Sequence, residues 1–161
     1  MTSAIAWPAD HCAPGWNLIR LRRDGEHPLR FSGRLVDRHD GAVPRATMWH
    51  DIALYRTAAA GFAVEIVARR LAPSGTTQPA RCHAAMFDTL DEALVRMETH
   101  DPAQDVCPGI AVPAFRLDDP AMPAATLMMQ AAALHGLCRD VARRYQIGVG
   151  VLLAGIGLRE V

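Results

Sequence analysis

Residues 48–70 read MWHDIALYRT (48–57), AAAG (58–61) and FAVEIVARR (62–70). Two runs rich in aromatic and β-branched residues flank a short break that ends in glycine. That is the pattern of a β-hairpin. With a four-residue loop, Thr57 faces Phe62, Tyr55 faces Val64 and Ala53 faces Ile66. Trp49, Tyr55, Phe62, Val64 and Ile66 then share one face. The other face carries His50, Arg56, Glu65 and Arg69 beside Ile52, Leu54 and Val67, with Arg56 and Glu65 as diagonal neighbours. The second face is too apolar to be fully solvated, so a helix, a second sheet or a partner covers it.

Working outward from the hairpin, LRFSGRLV (29–36) alternates apolar Leu29, Phe31, Gly33 and Leu35 with Arg30, Ser32 and Arg34, as a half-buried strand does. WNLIRLRR (16–23) is a further strand candidate. LAPSGTTQPA (71–80) reads as a loop, and RCHAAMF (81–87) as another strand. Thr89 followed by Glu92 has the spacing of a capping box. It predicts a helix over about 90–99 with Leu90, Leu94 and Met97 in one stripe. Pro123 opens a long helix over about 124–145, with Leu127, Ala131, Leu134, Cys138, Val141 and Tyr145 as its apolar stripe. The expected fold is α+β: an antiparallel sheet of four or five strands with both helices packed on it. Residues 1–15 form an irregular arm, 16–100 the sheet and first helix, and 101–123 a proline-rich segment that wraps a surface. Residues 124–161 are the last helix and an apolar tail, all within one compact domain.

The chain of 161 residues has 17 cationic side chains, all arginine, and 17 carboxylates. Arginine without lysine, together with abundant alanine, is what a GC-rich and hence bacterial genome gives. A zero net charge leaves no excess to displace counterions, so non-specific nucleic-acid binding is not expected. Ala4, Ile5 and their neighbours lack the basic start of a secretory signal, no run is long enough to span a membrane, and the four cysteines show no C-x-x-C spacing. A cytoplasmic protein with reduced thiols is expected.

No catalytic set, cofactor motif or metal site emerges. His135 and Cys138 are three apart on a helix, and Cys82-His83 and His11-Cys12 add ligand types, but none shows the paired short spacings of a zinc site. GVGVLLAG (148–155) lacks the Lys and Ser/Thr of a phosphate loop. Residues 138–153 loosely match a helix-turn-helix, yet Val149 to Gly155 offer nothing to base edges. The favoured expectation is a non-enzymatic binding or assembly protein. It would act on itself or a protein partner through the tail, with Ile147, Val149, Val151, Leu152, Leu153, Ile156 and Leu158 at the interface. The alternative is a small-molecule site or minor enzyme on the hairpin, lined by Trp49, His50, Tyr55 and Arg56.

Overall fold

The computed structural model describes residues 15–106 and 123–157. The arm at 1–14, most of the proline-rich segment, Cys12, Cys107 and Leu158 lie outside the described residues. Five strands run β1 (Asn17–Leu21), β2 (Leu29–His39), β3 (Met48–Thr57), β4 (Phe62–Leu71) and β5 (Thr77–Phe87). They form one antiparallel sheet in the order β1-β2-β3-β4-β5. Helices α1 (Leu90–Thr99) and α2 (Ala124–Gly157) pack on it, with a 3-10 turn at Pro102–Asp105. The α+β expectation therefore holds.

The hairpin register differs from the expected one by a residue. Arg56 faces Phe62, Leu54 faces Val64 and Ile52 faces Ile66. The loop is three residues, not four. Ala60 N–H donates to Thr57 O, Thr57 N–H donates to Gly61 O, and Ala60 has φ 67°. This is a turn closed by a left-handed bulge residue, which consumes one residue of the expected loop. Because strand side chains alternate, the slip moves Phe62, Val64 and Ile66 to the face of His50, Ile52 and Leu54. Trp49, Asp51, Ala53 and Tyr55 share the opposite face with Ala63 and Glu65. Arg56 and Glu65 therefore lie on different faces, and Tyr55 O–H donates instead to Glu65 Oε2 at 3.2 Å.

The expected loop at 71–80 also shrinks, because β5 begins at Thr77. Pro79 is accommodated there because β5 is an edge strand with a register shift beside that residue. A second bulge, between Leu35 and Asp37, carries β2 on to His39. The sheet curls: Asp24 N–H donates to Cys82 O at 3.0 Å and Cys82 N–H to Asp24 Oδ2 at 3.1 Å, tying the β1–β2 corner to β5. Leu21, Phe31 and Ala63 fill the inside of the curl, with Tyr55 and Ala84 against them.

The helices cover the other face. The capping box forms as expected, Thr89 bonding Glu92 N–H and Glu92 bonding Thr89 N–H. Ala93 and Met97 of α1 and Tyr145, Val149, Leu152 and Ile156 of α2 close over Ile52, Leu54, Val64 and Ile66. Met48, Ala68, Val106 and Val141 form an adjoining cluster.

Helix α2 does not end near residue 145; it runs 34 residues, through the apolar tail. Burying Val149, Leu152 and Ile156 is worth about 1.5–3 kcal/mol each. Each helical glycine costs only about 1 kcal/mol. Gly148 serves a close approach: a Cβ there would lie 2.6 Å from His39 Cδ2 of β2. The helix-turn-helix weighed at 138–153 does not form, since one uninterrupted helix covers that whole segment. Among the described residues no helix is long and apolar enough to cross a membrane.

Candidate functional site

Four side chains far apart in sequence meet between the sheet and the helices. The alternation of β3 puts His50 on the helix-facing side with Ile52 and Leu54. On β5, His83 lies opposite Ile66 of β4, on the same side. His100 is the C-cap of α1, where the backbone leaves helical geometry and turns extended. Asp101 then caps the 3-10 turn through Ala103 N–H, and Pro102 supplies its first residue. The turn ends by delivering Asp105 into the layer.

Asp105 is the hub. Its Oδ2 lies 2.9 Å from His50 Nε2 and 3.0 Å from His100 Nε2. Its Oδ1 lies 2.7 Å from His83 Nε2. The side chains of His50, His100 and Asp105 are 1%, 5% and 2% exposed, whereas that of His83 is 33% exposed. Tyr145 of α2 roofs the group, its ring 5.4 Å from His50 and 5.3 Å from His100. Its hydroxyl donates to Met97 O at 2.6 Å, satisfying a carbonyl in the last turn of α1. That bond fixes the two helices relative to each other above the histidines.

The electrostatics are lopsided. Burial by itself raises the Asp105 carboxyl, but hydrogen bonds from His100, His50 and His83 outweigh it and hold the group well below the usual carboxylate range. The carboxylate is therefore charged. Its partners are all imidazoles; no arginine pairs with it among the described residues. A buried carboxylate is costly unless its partners or a cation compensate it. The ligand atoms of His50, His100 and Asp105 lie within 4.8 Å of one another. Imidazole nitrogen and carboxylate oxygen are the donors that zinc and its first-row neighbours take. The residues present thus fit a divalent transition metal. One donor lacks outer support: His50 Nδ1 is buried with no hydrogen-bond partner among the described residues.

The residues singled out from sequence divide. Among the four expected to line a pocket, His50 enters this site and Arg56 sits exposed towards the far end of the same face. Trp49 and Tyr55 face the inside of the curl. There Asp51, buried, takes Arg69 and Arg38 as ion-pair partners. Burial pushes the Tyr55 hydroxyl up to about 12, and the Glu65 carboxylate adds to it. Along the tail, Val149, Leu152 and Ile156 are buried within the chain and Leu153 packs against the same core, while Ile147 and Val151 are exposed. His135 is exposed on α2, and Cys82 and Cys138 are free thiols.

Sequence reasoning missed His83, His100 and Asp105 as a set. Asp105 is 55, 22 and 5 residues from its partners, so only His100 is near it in sequence and no paired spacing betrays the set. The usable signal was weaker: a histidine closing a capped helix, followed at once by Asp-Pro and another carboxylate.

The chain matches no known protein family, no curated protein and no solved structure.

Proposed function

We propose that the chain is a metal-binding protein, with His50 and His100 through Nε2 and the Asp105 carboxylate holding one divalent transition-metal ion, and His83 hydrogen-bonded to the carboxylate's other oxygen. The observation that carries this reading is the convergence of three imidazole nitrogens, 2.7–3.0 Å away, on one buried carboxylate that pairs with no arginine among the described residues. A divalent cation in their midst reverses the sign of the site's charge and replaces the hydrogen bonds with stronger coordination. Two nitrogens and one oxygen, with the fourth position left to solvent, suit zinc in tetrahedral geometry, and cobalt(II) as its spectroscopic substitute. The test is competition for zinc with a chromophoric chelator at pH 7.5. One equivalent per chain is expected, with visible cobalt(II) bands typical of four-coordination, and His50→Ala and His100→Ala should each weaken both. A folded chain that leaves all the zinc on the chelator overturns the assignment.

A second reading, self-association, is supported by the exposed apolar residues of α2: Leu127, Met128 and Met129 at its start, Ile147 and Val151 further along. The three at the start adjoin one another, and adjoining apolar exposure marks interaction surfaces. Light scattering should show a dimer that Met128→Gln with Met129→Gln converts to a monomer. A monomeric parent chain refutes it.

A further inference from the structure

We infer that the cavity lined by Arg34 and Arg56, at the far end of the helix-facing side, is a binding site for a phosphate monoester that carries a short apolar group. It stands apart from the metal site. His50 and Arg56 lie on the same strand, β3, and their separation along it is about 20 Å.

Strand register builds the polar part. Arg34 of β2 pairs with Arg56 of β3, and Arg56 pairs with Phe62 of β4. Residues directly opposite in an antiparallel sheet share a face, with Cβ atoms about 4.5–5.5 Å apart. Two guanidinium side chains thus leave the same face side by side, an arrangement of like charges that is destabilising by itself. Both are exposed, and neither makes an ion pair among the described residues. Arg34 lies over the Trp16 ring, 5.7 Å from its centroid, a contact that orients the guanidinium without neutralising it. Packing builds the apolar part. Leu90 opens α1, and Ile156 lies in the last turn of α2. With Val36 and Phe62 they line a cavity of about 330 Å³ that the two arginines also line. That is the size of a small-molecule site. At the roughly 30 Å³ that a water takes in the liquid, it has room for about ten non-hydrogen atoms.

Charge then selects the ligand. Two uncompensated guanidiniums call for a dianion, and a phosphate monoester carries about −1.5 to −2 at neutral pH on three acceptor oxygens. Arginine meets those oxygens in a planar fork. A single carboxylate would neutralise only one of the pair. The phenylalanine, leucine and isoleucine walls suit the hydrocarbon of the ester rather than a second charge.

The probe is phenyl phosphate, titrated into the full chain and followed by NMR of the backbone amides. Saturable shifts with one ligand per chain are expected at residues 34–36, Arg56, Phe62 and Leu90. Inorganic phosphate, the head alone, should bind at least tenfold more weakly, and phenol, the body alone, should not saturate. Arg34→Gln with Arg56→Gln should raise the Kd for phenyl phosphate at least tenfold; both side chains are exposed, so the variant keeps its fold. The Kd should stay within twofold with and without zinc. Shifts that never saturate, a double variant that binds as the parent does, or phenol binding as tightly as the ester would each overturn the inference. So would binding that requires zinc or maps around His50 and His100, because the phosphate would then sit on the metal.

Discussion

Replacing Asp105 with asparagine removes the charge at the hub and leaves its shape. In the parent chain the carboxylate accepts three hydrogen bonds of 2.7–3.0 Å. Hydrogen bonds to an ionised group contribute about 1.5–3 kcal/mol each. Burying the ion costs several kcal/mol. The two nearly cancel in the metal-free chain, so Asp105→Asn should change apo stability by only about 1–3 kcal/mol. An amide oxygen can keep His50 and His100, while its NH2 group meets His83, which must then offer a lone pair. In the loaded chain the cancellation fails, because asparagine offers the ion no anionic oxygen. Losing the charged partner of a buried ionic contact costs about 3–5 kcal/mol. At 1.4 kcal/mol per tenfold, that raises the zinc Kd by about two to three and a half orders of magnitude. Chelator competition measures the Kd, and urea unfolding of the apo chain measures stability. An Asp105→Asn chain that folds and binds zinc within threefold of the parent would refute the reasoning, because the carboxylate would then not be a ligand.

Other expectations follow from the same structure. His50 Nδ1 lacks an acceptor, and losing such outer support typically costs 10–100-fold in affinity. A second-site acceptor engineered within reach of that nitrogen should therefore tighten zinc binding by up to that factor, read by the same competition. In the metal-free chain, Asp105 titrates lower folded than unfolded. Its contribution is present above the unfolded carboxyl range and fades as pH falls through the lower folded value. Unfolding free energy should thus drop on acidification below about pH 5, less so in Asp105→Asn; parallel acid limbs in the two chains would contradict this. Glu65 has the opposite sign: burial raises its carboxyl, with Tyr55, Arg38 and Arg69 only partly offsetting it. That contribution is full below the unfolded value and lost as pH rises through the folded one. Glu65→Gln should gain stability at neutral pH and nothing at pH 3, seen as a shift in the urea midpoint. Ala60→Gly should stabilise by about 0.5–1 kcal/mol, since leaving the left-handed region to glycine relieves about 1–2 kcal/mol against glycine's greater chain entropy. A destabilised Ala60→Gly chain would be incompatible with the bulged loop. Leu152→Ala, fully buried under the sheet, should cost about 2–5 kcal/mol in thermal or urea unfolding.

Local physics made much of this molecule readable from its residues. The alternation in 29–36 and 48–70 specified strands, Thr89 and Glu92 specified where α1 begins, and Pro123 marked the approach to α2. These signals involve residues within a few positions of one another, and the backbone responds to them wherever they occur. The hairpin register escaped because it hung on one residue, Ala60, adopting a conformation that alanine tolerates only when the two strands hold it there. The end of α2 escaped because four glycines argue against helix locally. Burial of Val149, Leu152 and Ile156 against a sheet formed a hundred residues earlier overrides them.

The site belongs wholly to that second category. His50 was legible as a polar residue on an apolar face, and nothing more. Its meaning depends on which strand lies two places away, where α1 stops, and how the Pro102 turn aims Asp105. By itself, the sequence determined most of the elements and the α+β class, because those follow from periodicity and caps, but not which hairpin residues share a face. Only the tertiary structure decided that three histidines share one carboxylate, because convergence is a property of strand order and helix docking rather than of spacing along the chain.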